Sequence, residues 1–201
     1  MIESLAEAAG RPVSRETFQL VAAYVERLKV ESARQNLISA SSAEHLWDRH
    51  ILDCAQLIRF EPGAGASWLD VGSGAGLPGI VLACLTQGKV MLLEPRRLRA
   101  EFLRDTVAGL SLSATVETDR VERISGRFDV ITGRAVAPLG KFFEMSHHLS
   151  TEKTVWVLPR GRSAQSELAE ARRAWQGVFH VKQSVTDADS EIIVGTGVRP
   201  R

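Results

Sequence analysis

The chain has 201 residues, 44% of them hydrophobic and 24% charged, enough to bury one globular α/β core with at most a small extension. Its 25 basic and 24 acidic side chains leave a formal charge of +1, yet this does not exclude a nucleic-acid binder, because the basic residues, mostly arginine, are clustered. Acid stands at the N-terminus where an export signal carries base, no apolar run approaches the ~18 residues of a membrane span, and Cys54 and Cys84 lack metal-site spacing, so a cytoplasmic protein with buried free thiols and no metal is expected.

Ser14 is placed to cap a helix over residues 14–34, in which Phe18, Val21, Ala22, Val25 and Leu28 follow the i, i+3, i+4, i+7 spacing. A second helix is predicted over 42–58, with Leu46, Trp47, Ile51, Cys54 and Ile58 as its apolar stripe and with Arg49 and Asp53 spaced to pair. The stretch Glu61-Pro62-Gly63-Ala64-Gly65 marks the joint between this helical extension, residues 1–62, and the remainder, 63–201.

From Ser67 short apolar runs alternate with helical segments. Strands are predicted at 68–71, 90–93, 114–117, 128–132 and 154–158, with helices from Pro78, from about Arg97 and after Pro138. Such alternation builds a mainly parallel sheet with helices on both faces. A polar helix is predicted over 163–175, and the runs 178–185 and 191–195, split by Thr186-Asp187-Ala188-Asp189, suit a terminal β-hairpin. The expected fold is therefore α/β and Rossmann-like, a single core at 63–201 ending in a hairpin, with the helical extension packed on it.

Asp70-Val71-Gly72-Ser73-Gly74-Ala75-Gly76 falls on the first strand-to-helix turn, where open parallel sheets bind ligands. Glycines there permit positive φ and let backbone N–H groups approach a ligand. Pro78 stands where a first helical residue would, and the helix start behind it favours a carboxylate. Both a methyl donor and a dinucleotide use such a loop. The G-x-G-x-G spacing after Asp70, with Leu77 following Gly76, departs from the G-x-G-x-x-G dinucleotide fingerprint and favours S-adenosylmethionine, of which S-adenosylhomocysteine would be the product. Glu94, at the end of the next strand, is placed to accept the ribose hydroxyls; the alternative is a capping acid ahead of Pro95.

Arginines cluster at Arg96-Arg97 with Arg99 and Arg104, at Arg120, Arg123 and Arg127, at Arg160 and Arg162, and at Arg172-Arg173. Each cluster is as well explained by a solvated helix face as by phosphate binding, and convergence on one surface would decide. His147-His148 reads as a helix end and Trp156 as core.

The loop continues as Leu77-Pro78-Gly79-Ile80. With Arg49-His50-Ile51-Leu52-Asp53, Asn36-Leu37, Phe102-Leu103-Arg104, Arg120-Val121-Glu122, Phe128-Asp129-Val130-Ile131, Gly133-Arg134-Ala135 and Leu158-Pro159-Arg160-Gly161, it resembles the small-subunit ribosomal RNA guanine-N7 methyltransferases, the glucose-inhibited division protein B family. The likeness covers roughly residues 14–195. It implies that Gly72 and Leu77 contact S-adenosylmethionine, that Val121 and Glu122 lie beside its adenine, and that Arg134 borders the reacting centre; with Asp70, Gly74, Gly76 and Glu94 from the loop reading, these are the expected cofactor-binding residues. It implies as substrate the guanine at position 527 of 16S rRNA, free or in small-subunit particles; a monomer is expected. Two residues depart from the family pattern: Arg160 stands where many members have lysine, and Glu94 where many have aspartate.

Methyl transfer is an in-line displacement whose main demand is alignment. Guanine N7 has a free lone pair, so no general base is needed. Neither cysteine stands at a strand tip, and Gly133-Arg134-Ala135 replaces the Asn/Asp-Pro-Pro-aromatic signature of exocyclic-amine methylation. Arg134 is the candidate catalytic residue, for positioning; the candidate substrate-side residues are Asn36, His50, Asp53 and Arg160. For His50 and Asp53 a structural pair fixing the extension to the sheet is the alternative. A methyltransferase of another acceptor and a non-catalytic RNA-binding factor remain as competing functions.

Overall fold

The computed structural model describes residues 1–38 and 45–201. Helix α1 (Ile2–Ala9) buries Leu5, Ala8 and Ala9 and ends at Gly10, whose φ of 65° only glycine adopts freely. No sequence expectation covered α1, since eight residues carry too little periodicity. Helix α2 (Arg15–Gln35) follows as predicted, with the Thr17 N–H donating to the Ser14 hydroxyl across 3.1 Å. The start of the predicted second helix, residues 42–44, lies outside the described residues. Its remainder is a π-helical turn (Trp47–Ile51), a single α-turn α3 (Leu52–Ala55) and a 3₁₀ turn (Gln56–Phe60), rather than one regular helix.

The sheet contains β1 (Trp68–Val71), β2 (Val90–Leu93), β3 (Ala114–Glu117), β4 (Val130–Thr132), β5 (Val155–Arg160), β6 (Trp175–Gln183) and β7 (Glu191–Pro200) in the order β3-β2-β1-β4-β5-β7-β6. The first five are parallel, and β7 runs antiparallel to both β5 and β6. Between them lie α4 (Gly79–Leu85), α5 (Arg97–Gly109), α6 (Leu139–Ser146) and α7 (Ala164–Ala171). The predicted polar helix stops four residues early, because Trp175 opens β6. Leu168, Ala171 and Trp175 keep helical spacing, so periodicity alone extended it.

Strand alternation divides the core between two faces. Trp68, Val90, Leu92, Val130 and Val157 pack with α4, α5 and the N-terminal helices, so the extension shares its core with the sheet. Leu69, Val71, Ile131, Trp156 and Leu158 face α6 and α7, where Trp156 stacks edge-on against Phe142 and Phe143. Cys54 and Cys84 are buried free thiols, pushed up to about 12 by desolvation. Strand order reverses between β1 and β4. The loops after these two strands therefore lie side by side at the carboxyl edge of the sheet, the usual ligand position in this architecture.

Candidate active site

The loop after β1 takes positive φ at Gly72 (71°), Gly74 (57°) and Gly76 (97°). The N–H groups of Gly72 and Ser73 donate to the Leu93 carbonyl at 2.8 and 3.0 Å, suspending the loop from the end of β2. A Cβ on Gly72 would lie 2.8 Å from Val136 Cγ2, and one on Gly76 would lie 2.6 Å from Ile80 Cγ1. Packing thus requires glycine at both. Over Gly74 nothing lies nearer than 3.8 Å to such an atom, so that is where the loop leaves space for a ligand.

Glu94 is 4% exposed, and its carboxylate is spread across the loop mouth. Oε2 accepts from Gly74 N–H at 2.8 Å and Oε1 from Arg96 N–H at 2.9 Å. Each oxygen retains a lone pair for another donor. Asp70 lies beneath the loop with no exposure; its Oδ2 accepts from Gly79 N–H at 3.0 Å, tying β1 to the start of α4, and its Oδ1 has no partner. Burial pushes its carboxyl up to about 7, against the hydrogen bond from Gly79, the neighbouring Ser73 hydroxyl, which donates to the Asp70 main-chain carbonyl, and the Arg134 charge. Pro78 precedes α4 as its cap, after a cis Leu77–Pro78 peptide, one position earlier than predicted.

Beside this loop lies a cavity of about 1020 Å³ lined by Arg49, His50, Asp53, residues 134–138, residues 159–162, Glu167, Asp187, Asp189 and Ser190. Four arginines, Arg49, Arg134, Arg160 and Arg162, come from three separate stretches of chain. Arg134 is half-buried at the tip of β4 and donates from Nη1 to His50 Nδ1 across 3.2 Å. Arg160 donates to the carbonyls of Pro159 (3.1 Å) and Gly133 (3.4 Å), sits 3.4 Å from Glu167, and lies over the Phe142 ring. Asp53 Oδ1 accepts from Gln56 (2.7 Å), Thr186 (3.2 Å) and Ser184 (3.3 Å), so it clamps the hairpin turn to the extension instead of pairing with Arg49.

The family model described as rRNA small subunit methyltransferase G matches residues 17–193. The chain belongs to this family. It is 42% identical over 198 residues to the ribosomal RNA small subunit methyltransferase G of Zymomonas mobilis, covering 94% of this chain and 90% of that one. To the protein of the same name from Sphingopyxis alaskensis it is 46% identical over 187 residues, covering 92% and 80%. Among solved structures, a TehB-like SAM-dependent methyltransferase from Corynebacterium glutamicum aligns at a TM-score of 0.59 with 16% identity, covering 85% of this chain and 97% of that one. A mutant of MtNAS in complex with S-adenosylmethionine also aligns at 0.59, with 20% identity, covering 87% and 75%. Both likenesses establish the methyltransferase-type α/β fold.

Within this family frame the structure separates the predicted residues into two groups. Gly72, Gly74, Gly76, Leu77, Glu94 and Asp70 gather at the β1 and β2 tips, whereas His50, Asp53, Arg134 and Arg160 line the cavity. The two groups meet where Gly72 abuts Val136. Val121 is buried in the core beside Val71 and Leu93, and Glu122 is exposed next to it. Asn36 ends α2 in a left-handed cap at φ 50° and does not line the cavity. Of the arginine clusters, Arg96, Arg97, Arg99, Arg120, Arg123, Arg160 and Arg162 stand at or just after the ends of β2, β3 and β5, on the edge that holds Arg134; Arg104 lies in the middle of α5, Arg127 precedes β4, and Arg172-Arg173 follow α7. Asp187, Asp189 and Val136 were missed because hairpin turns and inter-element loops give no periodic signal, and Glu167 because an acid in the first turn of a polar helix reads as solvated. Among the described residues no group of three or more His, Cys, Asp or Glu side chains could hold a metal, and no helix is long and apolar enough to cross a membrane.

Proposed function

We propose that this chain transfers the methyl group of S-adenosylmethionine to N7 of a guanine in 16S rRNA, at the position its family resemblance implies. The junction of Gly72 and Val136 carries the reading: it puts a glycine loop with an acidic strand end directly against a cavity holding four arginines. The donor set fits the cofactor, because Gly74 opens toward free space and Glu94 keeps a lone pair on each oxygen for hydroxyl donors. Gly72, Gly74, Gly76, Leu77, Glu94, Val121 and Glu122 would hold it, with Asp70 fixing the loop from below. When bound, S-adenosylmethionine supplies an electrophilic methyl on a sulfonium.

The chain's own residues then have one task, alignment. Arg134, oriented by His50, holds the acceptor side, and no base is required at N7. An arginine that forked onto O6 and N7 together would block the reacting nitrogen, so Arg134 serves by contacting O6 or a flanking phosphate. Arg49 and Arg162, the latter paired with Asp189, stand on the same cavity wall and are placed to reach the RNA backbone. The reading includes residues 1–62 as an extension of a 63–201 core, and a monomer acting in the cytoplasm on free rRNA or small-subunit particles.

Purified protein incubated with labelled S-adenosylmethionine and naked 16S rRNA, small-subunit particles or bulk metabolites decides the matter. Label in the RNA or particles, mapped as 7-methylguanine by strand scission, is expected; label in metabolites alone would overturn it.

A further inference from the structure

The N-terminal helices reach the site at three points. His50 meets Arg134, Asp53 with Gln56 holds the hairpin turn, and Tyr24 reaches the glycine loop. The third contact concerns a residue to which no role has been given. Tyr24 lies on the buried stripe of α2 with Val21, Val25 and Leu28 and has no exposed surface. Its hydroxyl donates to the Ala75 carbonyl across 3.0 Å, and a Cβ on Gly76 would approach that hydroxyl to 3.1 Å.

Ala75 lies between two glycines of positive φ, where the backbone has the widest freedom in the unliganded loop. The C=O of Ala75 and the N–H of Gly76 belong to one planar peptide. Fixing the carbonyl toward Tyr24 therefore fixes that N–H toward the Ser73 carbonyl, which it reaches at 2.7 Å. Gly74 N–H is separately held by Glu94. A loop already held in one arrangement loses less freedom when it receives a ligand.

We propose that Tyr24 is a positioning residue for the donor loop, its hydroxyl setting the Ala75–Gly76 peptide before the methyl donor arrives. This rests on the reading that residues 72–77 bind S-adenosylmethionine. The helical extension is then part of the donor site, in addition to its role in the core.

Tyr24→Phe keeps the ring and removes only the hydroxyl. The variant is expected to bind S-adenosylmethionine about five- to tenfold more weakly by calorimetry, as the loss of one hydrogen bond in the unliganded loop implies, and to raise KM for the donor with kcat at saturation changed by less than about twofold. Amide exchange at residues 73–77 should accelerate in the unliganded protein while α4 stays protected. Tyr24→Met, which also lacks the hydroxyl, should give the same result. Arg11→Ala is the control: it breaks the Arg11–Glu61 pair, elsewhere in the extension, and should lower Tm without altering donor affinity. Wild-type donor affinity and loop exchange in Tyr24→Phe would overturn the proposal, as would an equal loss of affinity in Arg11→Ala at equal loss of Tm. Failure of the wild-type protein to bind the donor would instead remove the donor-site reading and the proposal with it.

Discussion

Arg134 donates from Nη1 to Nδ1 of His50, joining the tip of β4 to the π-helical turn of the extension across 84 residues of sequence. Guanidinium has no acceptor atom, so the imidazole must be neutral with its proton on Nε2. Burial, then the charges of Arg134 and Arg49, hold the His50 pKa below its ordinary value. The extra helical residue that makes the turn sits at the site, where such insertions are common.

The first prediction follows from that pair. Protonating His50 breaks the bond and puts two cations face to face, so turnover should fall as pH drops below the ordinary histidine value of 6.5. The sign for stability is the same: the unfolded chain takes up the proton first, so the contribution of His50 is full above 6.5 and declines as pH falls toward its lowered folded value. His50→Gln, which retains an acceptor but does not titrate, should keep most of the activity and flatten the acidic limb of the pH–kcat profile. An unchanged acidic limb would remove His50 from the explanation.

Gly72→Ala tests the junction of the two half-sites. Its φ of 71° strains any side chain, and the new Cβ would meet Val136 Cγ2 at 2.8 Å. A loss of about 1–3 kcal/mol in urea unfolding is expected, together with weaker donor binding. Adding Val136→Ala should restore the part due to the clash and leave the part due to φ. The double-mutant cycle should therefore show a positive coupling of about 0.5 kcal/mol or more; additivity would mean that the loop and the cavity wall do not bear on each other.

Asp70 predicts a pH dependence of opposite sense. Burial lifts its carboxyl to about 7, so between 3.8 and 7 the folded state binds more protons than the unfolded one. Its contribution to stability must then diminish as pH rises through this window and level off above it. Asp70→Asn keeps an oxygen for the Gly79 N–H without titrating. The stability of the variant relative to wild type should shift in its favour between pH 4.5 and pH 8 in denaturant titrations. A difference moving the other way would show that the carboxylate is stabilised as an anion.

Much of this arrangement was legible in the chain. The parallel strands read through because short apolar runs bounded by glycine and proline leave little choice of period, and the glycine loop because packing against Val136 and Ile80 demands glycine at fixed spacing. The contacts that assemble the site were less visible. Tyr24 is buried beside Val21, Val25 and Leu28 but was not among the apolar positions that announced α2, and periodicity does not tell which residue carries a hydroxyl to a distant carbonyl. Arg49 and Asp53 have the spacing of a helical ion pair, yet Gln56, Ser184 and Thr186 take up the carboxylate, a competition settled by the fold of a hairpin more than a hundred residues away.

The last prediction concerns Arg160 and its buried pairing with Glu167. The Arg160 side chain is 5% exposed, that of Glu167 25%, and the Nε and Nη2 donors of Arg160 have no hydrogen-bond partner. Desolvation lowers the guanidinium pKa while Glu167 opposes the shift. The two partners are thus unequal: Glu167 can turn to water and to Ser163, which already donates to it at 2.6 Å, whereas Arg160 cannot leave. Removing the acid should leave a buried cation uncompensated and cost about 2–4 kcal/mol in Glu167→Ala. Arg160→Met, which fills similar volume over Phe142 without charge, should cost less than about 1 kcal/mol while releasing the Gly133 carbonyl that it braces behind Arg134. Urea unfolding of both variants, with kcat and donor affinity measured alongside, should find Glu167→Ala the less stable and Arg160→Met slower in turnover at unchanged donor affinity. The reverse order of stability would mean that the bonds Arg160 donates to the Pro159 and Gly133 carbonyls outweigh its pairing with Glu167.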